Sequence, residues 1–398
     1  KNIQTAINVA DTYDTVLVAT GTYVENITWP AINGIKLIGS GRDSCIIDGN
    51  QLSSVIRFEE ALGGIIDTTT LITGFTIQNG NPELAWPGNA GGGIYCSDNT
   101  SPTISNVIIT GNTAASGGGI YCGSNTTLNN SIIQGNTVSN EGGGISSYGG
   151  IFTNLIISGN TASSGGGINI DDTEDVVATD PIFRNVLVYN NTARFGGGFT
   201  IYDINPLLVN VTIYGNTASG QSSSDGGGIY NGATGPNTLL INSIVWNNTP
   251  NEIGDPGSNT IVVSYSDIQG AWEGTGNIEA DPLFVDSSNG NFHLSDNSPC
   301  IGAGLDTSIV PATDIEGDPR PNPTDSNPDM GAYENALGSP ANVAPTITSI
   351  SNVSILEDAS EQTINLTGID DGNATLDQTL TITATSSNTN LIPNPAVN

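Results

Sequence analysis

The sequence predicts an all-β chain: a right-handed single-stranded parallel β-helix with a short N-terminal capping helix and a partial C-terminal β-sandwich module. Three observations carry this. Gly-Gly-Gly followed by Ile or Phe begins at Gly91, Gly117, Gly142, Gly165, Gly196 and Gly226, at intervals of 26, 25, 23, 31 and 30 residues. A second block trails each triplet: NVIITGNT from Asn106, NSIIQGNT from Asn130, NLIISGNT from Asn154, NVLVYNNT from Asn185, NVTIYGNT from Asn210 and NSIVWNNT from Asn242. No helical period runs through these blocks, and Gly and Asn hold fixed corners. Repeats of this length belong to solenoids, in which each coil buries its apolar side only by stacking on its neighbours.

Each repeat supplies two short apolar strands. Coils stack at about 4.8 Å, so roughly ten coils make a rod about 50 Å long. Side-chain alternation then assigns faces. In the first strand Ile94, Ile120, Ile145, Ile168, Phe199 and Ile229 point inward, with Cys96, Cys122, Ser147, Ile170, Ile201 and Asn231 two residues on. Cys96 and Cys122 thus share an interior column and read as buried free thiols in preference to a disulfide. Two asparagine columns, from Asn106 to Asn242 and from Asn112 to Asn248, are expected to form hydrogen-bonded ladders. The outward column of the first strand holds Tyr95, Tyr121, Ser146, Asn169, Thr200 and Tyr230.

In the second strand Val107, Ile109, Ile133, Leu155 and Ile157 face inward, so Ile108, Ile132, Ile156, Leu187 and Ile244 form an outward apolar stripe beside Tyr189, Tyr214 and Trp246. Monomeric proteins rarely leave such a patch bare. A covering is therefore expected, either by residues 250–340 of the same chain or by a second molecule.

The ends differ from the repeats. Ile3, Ala6, Ile7 and Ala10 make a short amphipathic helix suited to lid the first coil. The β-helix is read over residues 1–334, clearest at 74–250, with a closing segment at 281–334. A linker follows at 335–342, and residues 343–398 alternate apolar and polar residues as a β-module does. That module is shorter than a full sandwich of about 100 residues. The chain begins mid-pattern at Lys1 and stops at Asn398, and so reads as a fragment or mature piece.

Asp and Glu outnumber Lys and Arg by 39 to 7, a formal charge of −32. Such a surface repels nucleic acid. No apolar run is long enough to insert in a membrane. The basic residues are Lys1, Lys36, Arg42, Arg57, Arg184, Arg194 and Arg320, with His293 the single histidine. Arg320 is expected to pair with Asp318, Asp329 or Glu334, and His293 to be structural.

The opening IQTAINVADTYDTVLVATGTYVENITW resembles the N-terminal part of pectate-lyase-like β-helix proteins. The GGGI and NNTA blocks resemble the repeats of chlamydial polymorphic outer-membrane adhesins. DPLFVD, NFHLSDNSPCIGAG, DIEGDPRP and DMGAYE in residues 281–334 resemble the end of secreted bacterial β-helix proteins of the choice-of-anchor type. The segment from Pro345 resembles Ig-like or cadherin-like surface modules. These resemblances imply an extracellular or cell-surface bacterial protein and transfer no binding residue.

Candidate ligand-binding residues are the outward aromatics Tyr95, Tyr121, Tyr230, Tyr189, Tyr214 and Trp246, since aromatic faces on a rigid surface stack on sugar rings. Asp171, Asp172, Glu174 and Asp175, in the longest insertion, are a candidate Ca2+ site, a pair of hydrolytic acids or a solvated loop. Three functions follow: a non-enzymatic adhesin or carbohydrate-binding surface protein, a lyase or hydrolase acting on acidic polysaccharide, and an architectural spacer or filament subunit. The partners implied are a polysaccharide or cell-surface glycan, or copies of the chain itself. With so few basic groups, no depolymerising activity is expected. An arginine converging with the acidic loop in a groove would favour the enzyme.

Overall fold

The computed structural model describes residues 2–62, 64–83, 88–98, 100–123, 125–172, 179–220, 225–232, 238–255, 261–341, 345–356, 359–370, 380–390 and 393–397. Among these, every repeat forms one coil of a parallel β-helix. One sheet has nine parallel strands, Ile27–Thr28, Ile56–Phe58, Ile94–Cys96, Ile120–Cys122, Ile145–Ser147, Ile168–Ile170, Phe199–Ile201, Ile229–Asn231 and Ile253–Gly254, and the six from Ile94 to Asn231 each follow a Gly-Gly-Gly triplet. A sixteen-stranded sheet carries the remaining wall. Its central strands Thr127–Gln134, Ile151–Ser158, Ile182–Tyr189 and Leu207–Tyr214 each bend at an asparagine. Asn130, Asn154, Asn185 and Asn210 have φ of 50–55°, the left-handed region that asparagine tolerates better than most residues.

The glycine triplets have two separate causes. Gly142 has φ +65° and turns the chain into the strand. Gly143 lies so near the next coil that a Cβ would stand 2.4 Å from the Gly166 carbonyl oxygen. The coils can stack here only without side chains.

The expected parity holds. Ile94, Ile120, Ile145, Ile168, Phe199 and Ile229 are fully buried, as are Val107, Ile109, Ile133, Leu155 and Ile157. Cys96 and Cys122 are buried free thiols. The column from Asn112 to Asn248 is a continuous interior ladder. Asn136 donates from its backbone N–H (2.9 Å) and from Nδ2 (3.0 Å) to Asn160 Oδ1, and Asn160 does the same to Asn191 Oδ1. The ladder ends at Glu252, which accepts from the backbone N–H and Nδ2 of Asn248. The other asparagine column is a ladder only from Asn130 to Asn185. Beyond it, Asn210 and Asn242 donate to carbonyls of the closing segment.

That segment answers the question of the apolar stripe. A hairpin, Phe284–Asp286 with Asn291–Leu294, and the chain to Leu337 lie over its far half. Leu187 and Ile244 are buried beneath Phe292, Ala332, Tyr333 and Met330. Ala332 N–H donates to Thr212 Oγ1 at 3.0 Å. Ile108 and Ile132, beyond this cover, are half-buried.

The helix Ile3–Asn8 caps the first coil, with Ile3 and Ile7 buried and Asn2 capping its N-terminus through Thr5 N–H. In residues 345–370 the described part carries one isolated antiparallel bridge, Thr346 to Asp370, and no strand.

Candidate functional site

The outer face of the nine-stranded sheet brings together two groups that the sequence kept apart, the outward tyrosines and the first acid of the long insertion. Stacked coils put equivalent residues about 4.8 Å apart, so rings in one outward column meet face to face. Tyr95 and Tyr121 stack at 5.4 Å with planes 11° apart. The Arg57 guanidinium covers Tyr95 at 3.8 Å from its ring centroid. Tyr95 is therefore 2% and Tyr121 4% exposed. This corrects the expected open strip of ring faces, because those faces are used by one another. Tyr230 is half-buried against Phe195 and Tyr202.

Tyr189, Tyr214 and Trp246 lie on the other sheet and face the closing segment. Tyr189 packs on Phe292 at 5.0 Å, and Tyr214 meets Phe284 and Phe292 at 5.6 and 5.1 Å. Tyr214 OH also accepts from Ser287 Oγ. Trp246 joins the cluster of Leu294, Cys300 and Met330. Their neighbours are internal, so they share no groove with Tyr95, Tyr121 and Tyr230.

Directly after each interior residue of the nine-stranded sheet comes a further outward position. Backbone bonds fix its register across coils: Tyr148 N–H to Cys122 O, Asp171 N–H to Ser147 O, Tyr202 N–H to Ile170 O and Gly232 N–H to Ile201 O. Asp171 thus sits one coil from Tyr148 and one coil from Tyr202. Tyr121 OH donates to Tyr148 OH at 2.9 Å, and Tyr202 packs on Tyr230 at 5.9 Å, placing both tyrosines on the outer side. The floor beside this row is the outward column Ser146, Asn169 and Thr200, all nearly fully buried. Thr200 Oγ1 bonds to Ser164 Oγ and Phe195 O. Asn169 Oδ1 is buried without a hydrogen-bond partner among the described residues.

Two carboxyls, Asp171 and Glu141, feel one another's charge near this row. Loss of solvent, then the nearby Glu141 charge, pushes Asp171 up to about 6. Glu141 stands at the exposed rim, and partial desolvation raises it too. Burial likewise raises Tyr148, with Glu141 and Asp171 adding to the effect, and pushes Tyr202 up to about 12. Both tyrosines are therefore protonated hydroxyls at neutral pH.

Asp172 is exposed and adjacent, while Glu174 and Asp175 lie outside the described residues. Among the described residues no group of three or more His, Cys, Asp or Glu side chains is placed to share a metal ion. The basic groups do not converge with Asp171. Arg57 is held by Glu59, Ser54 Oγ and the Gly88 and Ala90 carbonyls. Arg184 lies on the other sheet and donates to Ile309 O. Arg194 lies over the Phe195 ring. His293 bonds Glu316 and packs on Tyr333 in the closing segment. A proton acceptor at this face has to be a carboxylate.

Sequence reasoning missed Tyr148, Tyr202 and Glu141. The signal was present as Ser147–Tyr148, Ile170–Asp171 and Ile201–Tyr202, an outward residue directly after each interior one. Another open depression, of about 500 Å3, is lined by Asn81, Glu83, Thr113, Ala115, Thr137 and Ser139 among others. It offers a single carboxylate and no aromatic ring.

Residues 66–249 match the family described as the right handed beta helix region. No curated protein sequence matches the chain. Similar solved structures include pectate lyase Pel9A, at 17% identity over 83% of this chain and 90% of that one, with a TM-score of 0.46. A PL6-family alginate lyase, AlyGC, is 16% identical over 74% of this chain and 54% of that one, TM-score 0.32. A pectin methylesterase solved with a hexasaccharide is 15% identical over 69% and 76%, TM-score 0.29. Among the described residues no helix is long and apolar enough to cross a membrane. With parallel sheets, one short α-helix among the described residues and repeat-matched coils, the chain folds as a right-handed parallel β-helix.

Proposed function

We propose that this chain is a carbohydrate-binding β-helix exposed outside the cell, and that it binds glycan along the outer face of the nine-stranded sheet, centred on Asp171. One observation carries the reading: Tyr148, Asp171 and Tyr202 stand in register over three adjacent coils on the outer side of the sheet. Sugars are recognised by aromatic surface combined with fixed polar groups. A rigid solenoid holds such groups at a repeat that an extended polymer can follow. A glycan array tests it. Wild-type protein should bind a defined set of oligosaccharides, and a Tyr148→Ala/Tyr202→Ala variant should lose that signal with its melting curve intact. Equal signals from both proteins would remove the assignment.

A second reading, a glycoside hydrolase, is favoured by the pairing of Asp171, pushed up to about 6, with Glu141. A carboxyl raised toward neutrality, with a second one nearby, is what a general acid in glycoside hydrolysis requires. It predicts release of reducing ends from a bound polysaccharide, abolished by Asp171→Asn. Binding without release, over long incubation, would leave the non-enzymatic reading.

A further inference from the structure

We infer that a separate face of the rod binds ice, through a column of solvent-facing threonines that repeats at the coil spacing. The inference stands apart from the glycan face and uses none of its residues.

Backbone pairing sets the column. Two small sheets, Thr113–Ser116 with Thr137–Glu141 and Thr192–Ala193 with Thr217–Ala218, form a third wall of the coils. Along it Thr113 pairs with Thr137, Thr137 with Thr161, Thr161 with Thr192, Thr192 with Thr217 and Thr217 with Thr249, all parallel. The ladder asparagine before each threonine is buried, and Ala114, Val138, Ala193 and Ala218 after them are buried too. The threonines therefore point outward. Five of the six are exposed and Thr217 is half-buried.

The fold uses the backbone of these residues and leaves their side chains idle. Each threonine N–H donates to a carbonyl one coil away, those of Gly80, Asn112, Asn136, Asn160, Asn191 and Asn216 in turn, at 2.8–2.9 Å. Any residue but proline could do this. Among the described residues none of the six hydroxyls makes a hydrogen bond. Strand preference favours a β-branched side chain here, and valine or isoleucine would meet it equally.

Charge is kept off the strip. The chain carries 39 acidic residues, and none falls in this column. The next outward column holds Ala115, Ser139, Ser163, Arg194 and Ser219, with the Arg194 guanidinium laid over the Phe195 ring. At the Thr113 end, Asn81 and Glu83 wall the depression described above. The result is a strip of methyl and hydroxyl groups at two fixed spacings, about 4.8 Å along the rod and about 6.7 Å along the strand.

The chemistry of the strip names its partner. A sugar would seek an aromatic face, and neither column holds one. A protein partner would seek a buried apolar or aromatic anchor point, and small polar side chains offer none. Ice asks for what is present. Neighbouring oxygens on a face of ordinary ice repeat within a few tenths of an ångström of the coil spacing. Each hydroxyl donates once and accepts twice, so it can stand in for a lattice water. The methyl groups between them leave liquid water when the lattice covers them. A β-branched side chain is stiff at χ1, so docking costs little rotamer freedom.

Nanolitre osmometry on the whole chain tests this. A single ice crystal in the wild-type solution should grow facets, and freezing should lag melting by an interval that widens with protein concentration. Thr161→Tyr/Thr192→Tyr places two rings in the middle of the strip and should shrink that interval about tenfold or more, as disruption at the centre of an interface does. Thermal melts establish its fold, and Thr137→Lys, a single exposed change, carries the same expectation should the pair not fold. Round crystals with coincident melting and freezing in the wild type would overturn the inference, as would a wild-type interval in a folded strip variant. Retention on crystalline cellulose or chitin that the tyrosine pair abolishes, with no effect on ice, would overturn ice as the occupant and assign the strip to a polymer crystal.

Discussion

Replacing Arg320 by alanine should detach the closing segment from the rod without unfolding the coils. Arg320 and Glu334 form an ion pair at 2.7 Å, and both side chains are fully buried. The guanidinium also donates to Asn185 Oδ1 at 2.7 Å and to Gly331 O at 3.1 Å. It therefore joins the end of the outer asparagine ladder to the segment that covers Leu187 and Ile244. In Arg320→Ala, Glu334 keeps only the backbone N–H groups of Asn322 (3.0 Å) and Asp329 (3.2 Å) near its carboxyl. Gly331 O keeps its bond from Asn210 Nδ2, whereas Asn185 Oδ1 loses its donor. Breaking one side of a buried pair destabilises by about 3–5 kcal/mol. The loss falls on the segment, whose local opening is separable from global unfolding. Limited proteolysis should then cut within residues 281–337 at concentrations that spare the wild type. Light scattering should report association through the uncovered Leu187, Phe292 and Ile244. Arg320→Met/Glu334→Leu, which removes both charges and refills the space, should restore protection, since apolar replacements of buried pairs are often neutral. If Arg320→Ala is as protease-resistant as the wild type, or the double variant is worse than the single one, the latch reasoning is wrong.

Three further outcomes are expected. In Asn160→Ala the backbone N–H and one Nδ2 proton of Asn136 lose their acceptor, a loss of about 2–5 kcal/mol that chemical denaturation would measure. Burial pushes Glu252 up to about 7 from its usual 4.5 despite the Asn248 hydrogen bonds. A carboxyl raised on folding stabilises fully below its unfolded value and loses that contribution as pH climbs from about 4.5 through about 7. Glu252→Gln should therefore outlast the wild type increasingly across that window, by on the order of 3 kcal/mol at its top, with no difference at pH 4. Cys96 and Cys122 are buried thiols, and burial pushes Cys122 up to about 12. Thiol reagents should leave them unmodified in the native protein and label them after denaturation.

The repeat made the coils legible because stacking repeats its own demands. Gly143 must lack a Cβ at every coil contact, and Asn160 must offer one acceptor and two donors at every ladder step, so both recur in sequence at the coil period. The alternation of Val107, Ile108 and Ile109 sufficed to name an apolar stripe, and residues 250–340 were named as its nearest cover. The hairpin at Phe284–Asp286 and Asn291–Leu294 was not readable, because it repeats nothing. The tyrosines were assigned to the correct side but given the wrong exposure. Alternation reports which way a ring points, whereas the spacing of coils decides what its face touches. Tyr95 and Tyr121 are neighbours in a column and so cover one another.

The same contrast locates the candidate site. A position governed by stacking carries the same residue type in coil after coil. A position free of that demand can differ, and the row Gly123, Tyr148, Asp171, Tyr202 and Gly232 differs at nearly every step. Glycines bracket it, and a Cβ on Gly232 would stand 2.4 Å from the Tyr202 ring. The change from glycine to large polar side chains and back spans three coils, about 10 Å between its outer members. That is the scale of two sugar units laid along the rod. Nothing in the backbone pairing asks for an acid at Asp171, where burial works against its charge. Positions that the fold neither repeats nor stabilises are where function is expected to break local rules, and here the position is flanked one coil to either side by Tyr148 and Tyr202.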